Sequence, residues 1–279
     1  MSIAGSVANA PLAAGEAHYR AFQIFTSNPR TWKNSNIEDE DATQFKRYSH
    51  RFDLVPYAHI PYLCNLASAN TSVLKKSSGM LLNNLNNCMP LNIKYLVIHL
   101  GSHLGKGAER GIKNITESLK SALGQTKQTA ILLENTSGYT NSVGSKFEEI
   151  GTIIDQVGSE RLDLCFDTCH AFAAGYELRT GRGIEKVEEE IKSFIGLDRL
   201  KLIHLNDSKY DLGSRLDRHW HIGSGYIGEA GFVALFMNES FNHGSFIMET
   251  PINELGNEET NMSEVKKIIE LAAQSSVKE

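Results

Sequence analysis

The chain has 279 residues and carries 28 Lys and Arg against 33 Asp and Glu, which gives a formal charge of −5. Hydrophobic residues make up 41% and charged residues 22%, as in ordinary globular proteins, which excludes collagen-like, disordered and low-complexity chains. No apolar run approaches the roughly 18 residues of a membrane span, and the start lacks the basic and apolar regions of a secretion signal, so we expect a cytoplasmic protein.

Seven short apolar runs alternate along the chain with stretches of helical periodicity. The runs cover residues 22–25, 54–57, 95–98, 130–133, 162–166, 200–203 and 246–248. Short runs that are buried on both faces are typical of parallel strands, whereas Ile112, Ile115 and Leu119 have the spacing of a helix. The alternation predicts an α/β fold of the TIM (β/α)8 barrel type, with one strand fewer than eight and a single domain over 1–279.

A histidine or a carboxylate follows six consecutive runs. These residues are His59, His99, Glu134, Asp167 (with His170 close behind), His204 and Glu249. The carboxyl ends of parallel barrel strands meet on one face, where barrel enzymes have their active sites. One such residue is most often a helix cap, but six in series predict a metal centre.

The types of ligand indicate the metal. Imidazole and carboxylate without thiolate suit zinc, with manganese or iron as alternatives. Six or seven ligands exceed the four that one tetrahedral zinc accepts, so we expect more than one ion, with Glu134 as the natural bridge. Asp217 and His219 would complete a further site beside His170. The four cysteines are too few for a disulfide framework, and we expect Cys165 and Cys169 to be small buried side chains.

Several segments together resemble the endonuclease IV family. They are residues 25–30 (FTSNPR), 98–103 (IHLGSH), 133–136 (LENT), 167–172 (DTCHAF), 204–209 (HLNDSK), 217–219 (DRH) and 249–251 (ETP). The resemblance extends from Ser2 to the last strand. It implies an apurinic/apyrimidinic (AP) endonuclease of base-excision repair, built on a TIM barrel that holds three zinc ions, with Mn²⁺ or Fe²⁺ in part.

The resemblance also implies a role for individual residues. His59, His99 and Glu134 would hold the first zinc; Glu134, Asp167, His204 and Glu249 the second; and His170, Asp217 and His219 the third. Glu134 would act in catalysis as the bridging ligand, and Glu249 would also orient the attacking hydroxide. Arg30, Tyr62 and Leu63 match intercalating positions, and Lys209 and Arg215 belong to a basic rim that would contact DNA.

The implied reaction is hydrolysis of the phosphodiester bond 5′ to an abasic site in duplex DNA. It would leave a 3′-hydroxyl and a 5′-deoxyribose phosphate, and 3′-repair diesterase activity would accompany it. We expect a monomer of prokaryotic type that acts at the nucleoid in the cytoplasm.

The chain departs from the family at its start. Family members begin with a strand that carries a Gly-x-His-Val-Ser motif, and this chain starts where that motif ends. We therefore expect the first barrel strand to be largely missing, which accounts for seven runs. Residues 220–223 match the family only roughly.

Two other functions compete with this interpretation. One is a metal-dependent sugar isomerase of the same barrel superfamily, which the third site and the intercalating loop disfavour. The other is a non-catalytic DNA-lesion binder, whose signature would be a lost ligand, and none is lost.

Overall fold

Parallel β-strands alternate with α-helices in a computed structural model that describes residues 1–33 and 36–276. In chain order the elements are α1 (Asn9–Glu16), β1 (Ala21–Phe25), α2 (Asp39–Arg51), β2 (Val55–His59), α3 (Thr71–Cys88), β3 (Tyr95–His99), α4 (Ala108–Gln125), β4 (Ala130–Glu134), α5 (Phe147–Val157), β5 (Leu162–Asp167), α6 (Thr168–Ala174), α7 (Gly181–Phe194), β6 (Leu200–His204), β7 (Asp207–Ser208), β8 (His219–Trp220), α8 (Gly228–Met237), β9 (Ser245–Ile247) and α9 (Glu258–Ser276). Two short 3-10 helices cover Leu197–Arg199 and Glu239–Phe241.

The chain divides into two compact units. The first comprises residues 1–134 and 153–163, and the second comprises residues 135–152 and 164–279. None of the helices in the described part of the chain combines the length and the apolar character needed to cross a membrane.

Parallel strands β1 to β4 form the sheet of the first unit in sequence order. Leu81 and Leu85 on α3 and Ile115 and Leu119 on α4 are fully buried, so each helix presents one apolar face to the protein interior. The register pairs Phe25 with His59, and His99 with Glu134. The predicted ligands of this unit therefore lie at the same end of the sheet.

In the second unit β6 pairs with both β5 and β9 in parallel. Asp167 is the register partner of His204, so two more predicted ligands lie side by side. Strands β7 and β8 form a separate antiparallel ribbon. His219 therefore lies opposite Ser208, which follows the last residue of β6, His204, by four residues.

All seven predicted runs form strands, and the helix predicted from Ile112, Ile115 and Leu119 is α4. Five of the donors are the last residue of their strands, as predicted. Glu249 is the exception, because it lies two residues beyond β9, which ends at Ile247. At the amino end, residues 1–8 are in loop and turn conformations, and the Met1 ammonium donates to the carbonyl oxygen of Gln23 at 2.7 Å.

Candidate metal centre

A first donor cluster lies at the carboxyl ends of β2, β3 and β4 and consists of His59, His99 and Glu134. Oε2 of Glu134 lies 3.1 Å from Nε2 of His59 and 3.3 Å from Nδ1 of His99. Glu134 and His59 are buried, and His99 is one-quarter exposed. Three ligand atoms thus converge in a cluster that solvent reaches on the side of His99.

The backbone fixes the orientation of the His59 ring. Nδ1 of His59 lies 2.7 Å from the carbonyl oxygen of Ile60, and a carbonyl can only accept, so Nδ1 carries the proton. In the neutral ring Nε2 then presents a lone pair to the Glu134 carboxylate. Two lone pairs at this distance repel each other unless a cation or a proton lies between them.

A second donor cluster consists of Asp167, His204 and Glu249 in the second unit. Nδ1 of His204 lies 3.3 Å from Oε2 of Glu249 and 3.8 Å from Oδ2 of Asp167. Asp167 and His204 are completely buried, whereas the Glu249 side chain is about one-quarter exposed. Glu249 is therefore the member of this cluster that solvent or a substrate reaches.

A third donor cluster consists of His170, Asp217 and His219. Oδ1 of Asp217 lies 3.2 Å from Nε2 of His170 and 3.5 Å from Nε2 of His219. Both rings are held as His59 is, because Nδ1 of His170 donates to the carbonyl oxygen of Asn135 at 3.0 Å and Nδ1 of His219 donates to that of Glu249 at 3.1 Å. In each neutral ring Nε2 is left as the ligand atom.

The geometry of the three clusters suits divalent cations. Two ligand atoms that share a tetrahedral zinc at about 2.1 Å lie roughly 3.4 Å apart, and most donor separations above are close to that value. The Nε2 atom of His219 is buried, and it has no hydrogen-bond partner within residues 1–33 and 36–276. An unsatisfied buried nitrogen costs about 1–3 kcal/mol, which a bound cation would remove. The donor set, with tautomers fixed from behind, therefore fits a metal.

Asp167 has two roles, since its two oxygens face different partners. Oδ1 accepts the N–H of His170 at 2.7 Å and so caps the amino end of α6. Oδ2 lies 3.5 Å from Nε2 of His219 and 3.8 Å from Nδ1 of His204. The helix-cap interpretation and the ligand interpretation of this residue are thus compatible.

Two buried asparagines that the sequence did not single out hold Asp167 in place. Asn206 donates from Nδ2 to Oδ2 of Asp167 at 2.7 Å, and its Oδ1 accepts the N–H of Glu249 at 2.8 Å. Asn135 accepts the Asp167 N–H at 2.7 Å and donates to the Asp167 carbonyl oxygen at 3.0 Å. Asn135 directly follows β4, and Asn206 lies two residues beyond the end of β6. This position after a strand end was the signal by which the sequence could have indicated them.

The predicted DNA-contacting residues lie on loops that follow strands. Tyr62 is 64% exposed, and its ring centroid lies 5.2 Å from that of Phe25 and 6.4 Å from that of His99. Leu63 beside it is half-buried. Tyr62 therefore lies against the first donor cluster with much of its surface available to a partner.

The basic residues Arg30, Lys209 and Arg215 are all exposed. Nζ of Lys209 lies 4.6 Å from the centre of the Trp220 ring, next to His219 of the third donor cluster. Arg215 has a positive φ of 58°, and its N–H donates to the carbonyl oxygen of Ala173. Lys209 and Arg215 thus both lie in the segment that precedes Asp217.

All four cysteines lie in the described part of the chain, are buried and form no disulfide there. Cys169 also falls within one group of donors, with Asp167 and His219. Burial and the neighbouring Asp167 raise the pKa of its thiol well above the ordinary value. A neutral thiol is a poor ligand, so Cys169 fits its predicted structural role.

Comparison with known proteins identifies the family. A model of the xylose isomerase-like TIM barrel family matches residues 12–272. The probable endonuclease 4 of Cenarchaeum symbiosum (strain A) is 41% identical over 272 residues, which cover 96% of this chain and 97% of that protein. The probable endonuclease 4 of Nitrosopumilus maritimus (strain SCM1) is 42% identical with the same coverage.

The chain belongs to the endonuclease IV family. The crystal structure of endonuclease IV from Thermus thermophilus superimposes with a TM-score of 0.85 at 32% identity, covering 97% of both chains. The fold is therefore a TIM barrel, as predicted, and family membership makes the chain a nuclease and hence a hydrolase.

Sugar-epimerase structures share the fold but not the sequence. A D-tagatose 3-epimerase-like protein superimposes with a TM-score of 0.70 at 19% identity over 92% of this chain. Identity this low shows the barrel alone and lends no support to the isomerase alternative.

Proposed function

We propose that this chain is an AP endonuclease that hydrolyses the phosphodiester bond 5′ to abasic sites in duplex DNA, using three zinc ions. The products are a 3′-hydroxyl and a 5′-deoxyribose phosphate, and the same site removes blocking groups from 3′ ends. The observation that carries the proposal is the set of three donor clusters, in which three imidazoles keep Nε2 as ligand atom, within a chain about 41% identical to endonuclease 4 proteins.

Each donor cluster holds one ion in this proposal. His59, His99 and Glu134 would hold the first. Asp167, His204 and Glu249 hold the second. His170, Asp217 and His219 hold the third. Mn²⁺ or Fe²⁺ replaces zinc in part, since imidazole and carboxylate ligands accept all three metals.

Divalent cations held in this way supply an activated water at neutral pH and balance the charge of the phosphate undergoing attack. The protein contributes orientation. The Glu249 carboxylate is partly exposed, and its backbone is anchored by Asn206, so it is suited to hold the attacking water in line with the phosphorus. Glu134 is completely buried and keeps its carboxylate fixed during the reaction.

Recognition of the lesion falls to the loops around the clusters. An abasic nucleotide lacks stacking and pairing, so it is extruded at lower cost than a normal one. Arg30, Tyr62 and Leu63 fill the gap left in the stack. Lys209 and Arg215 contact the phosphate backbone, and this local positive charge accounts for DNA binding by a chain with a net charge of −5.

The proposal extends to the protein as a whole. Residues 1–279 act as one catalytic domain, and the protein works as a monomer in the cytoplasm, on chromosomal DNA. Light scattering of the purified protein at micromolar concentration would give the mass of one chain. A mass of two chains would contradict the monomer.

The test is incision of a labelled duplex that contains one abasic site, with the metal content measured on the same sample. Zinc-loaded protein cuts this duplex and leaves an undamaged duplex and a ketose unchanged; chelation abolishes incision, and added zinc restores it. A protein that binds zinc but converts the ketose, or that binds abasic DNA without cutting it, would overturn the proposal in favour of the isomerase or the lesion binder respectively.

A further inference from the structure

Asp207 is a completely buried carboxylate on β7 that belongs to none of the donor clusters. It accepts four backbone N–H groups. Oδ1 accepts from Ser208 at 2.7 Å and Ile227 at 3.0 Å, and Oδ2 accepts from Gly225 at 2.9 Å and Gly228 at 3.2 Å. Three of the four donors lie 18 to 21 residues away along the chain. One side chain therefore fixes the backbone at residues 225, 227 and 228.

The segment held by Asp207 runs directly from the third donor cluster. The β7–β8 ribbon pairs Asp207 with Trp220 and Ser208 with His219. Beyond the ribbon, the chain turns back, and the N–H of Tyr226 donates to the carbonyl oxygen of Ser208 at 2.8 Å. Segment 219–228 is thus fixed at its start by the ribbon and at its end by the Asp207 carboxylate.

Gly225 shows how closely this segment approaches Asp207. A Cβ atom at Gly225 would lie 2.4 Å from Oδ1 of Asp207 and 2.4 Å from the carbonyl oxygen of Ser208. Both distances are shorter than van der Waals contact. Only glycine at position 225 therefore lets the N–H groups of Gly225 and Gly228 both reach Oδ2 of Asp207.

The third donor cluster depends on this arrangement more than the other two do. His59, His99, Glu134, Asp167 and His204 each end a strand of a parallel sheet. His219, by contrast, lies on a ribbon of two residue pairs, and Asp217 precedes that ribbon by two residues. An isolated two-stranded ribbon is marginally stable. A further constraint is needed to hold their ligand atoms within reach of His170.

We propose that Asp207 is a positioning residue that sets the geometry of the third donor cluster by fixing the backbone of segment 219–228. This inference rests on the proposed function, because it assigns a metal to that cluster. The carboxylate acts through four N–H groups, and it makes the third metal site selectively sensitive to a change at a residue that is not itself a ligand.

Asp207→Asn tests the inference with little change in volume. The amide has one acceptor oxygen, so two of the four N–H groups keep a partner and the other two face an NH₂ group. We expect wild-type protein to retain three zinc ions per chain in native mass spectrometry after dialysis against a weak chelator, and Asp207→Asn to retain two. Excess zinc restores the third ion, with an affinity lowered by about 10- to 100-fold.

The double variant Asp207→Asn/His170→Ala separates positioning from general destabilisation. If Asp207 acts through the third donor cluster, His170→Ala alone removes one zinc and the double variant loses no more than that. Gly225→Ala disrupts the hydrogen bonds to Asp207 by a change in segment 219–228, and we expect it also to lose one zinc ion. Glu188→Gln is the matched control, since Glu188 accepts from Asn238 and Ser240, both at 2.6 Å, and its loss leaves three ions.

The outcomes distinguish this inference from the function on which it rests. Fewer than three ions in the wild type contradicts the proposed function itself. Three ions in the wild type together with three ions of unchanged affinity in Asp207→Asn and Gly225→Ala overturns the role of Asp207. Loss of all ions and of cooperative unfolding in both variants also overturns it, because Asp207 would then support the whole fold.

Discussion

The Nδ1 atom of His219 lies 3.1 Å from the carbonyl oxygen of Glu249, so a member of the third donor cluster is oriented by the backbone of a member of the second. Glu249 is in turn anchored by Asn206, which also donates to Asp167. The second and third donor clusters therefore share one hydrogen-bond network. A change at Asn206 is therefore expected to affect both clusters.

His59→Ala removes a ligand whose tautomer is fixed by the Ile60 carbonyl group. We expect incision of abasic DNA to fall by more than the roughly 10- to 100-fold seen when only an outer hydrogen-bond partner is removed. Zinc content is expected to fall by one ion per chain. His243→Ala is the control, because His243 is exposed and outside the donor clusters. Equal activity of the two variants would exclude His59 as a ligand.

Asn206→Ala leaves every ligand in place but removes the donor to Asp167 and the acceptor for the Glu249 N–H. Activity is expected to fall by about 10- to 100-fold, chiefly in kcat, because the metal ligands are misdirected while the DNA-binding loops are unchanged. Steady-state kinetics on an abasic duplex measure this. Asn242→Ala, which loses one exposed hydrogen bond to Phe236, serves as control. A change confined to KM would contradict the assigned role.

Tyr62→Ala combined with Leu63→Ala removes the side chains proposed to fill the gap at the lesion. Stacking of an aromatic side chain on a base contributes roughly 1–3 kcal/mol, so affinity for abasic duplex is expected to fall by about 5- to 150-fold. Zinc content stays at three ions, since no ligand is changed. Ile269→Ala removes an exposed apolar side chain on α9 and is expected to have no effect. Unchanged incision by the double variant would show that Tyr62 and Leu63 do not fill the gap at the lesion.

Arg30→Gln, Lys209→Gln and Arg215→Gln each remove one proposed phosphate contact. Each is expected to reduce the slope of log K against log salt concentration by about 1, because one fewer counterion is released on binding. Fluorescence anisotropy at several salt concentrations gives this slope. Arg20→Gln is the control, since Arg20 precedes β1 at the opposite strand end and pairs with Asp53 at 3.0 Å. A slope equal to that of the wild type would remove a residue from the DNA interface.

The strands and the donors were predictable because both leave a signal in residue types. An apolar run with a histidine or carboxylate at its end is readable without any knowledge of tertiary contacts, and β4 with Glu134 is an example. The exact end of a strand is not readable in this way. His59 and His99 continue the hydrogen bonding of their strands, whereas Glu249 lies beyond β9.

The supporting contacts were not predictable, because their partners are backbone groups that every residue type carries. Nothing in the sequence indicates that Ile60, Asn135 and Glu249 supply the carbonyl groups that fix three imidazoles. The same holds for Asp207, whose partners are N–H groups about twenty residues away. Such contacts depend on how the chain returns in space, and that path is set by tertiary packing.

Anomalous X-ray scattering at the zinc edge, from crystals of the zinc-loaded protein, tests the central claim most directly. We expect three peaks, one bounded by His59, His99 and Glu134, one by Asp167, His204 and Glu249, and one by His170, Asp217 and His219. Peaks at surface residues outside these nine side chains, or no peak at all in protein that still cuts abasic DNA, would contradict the account.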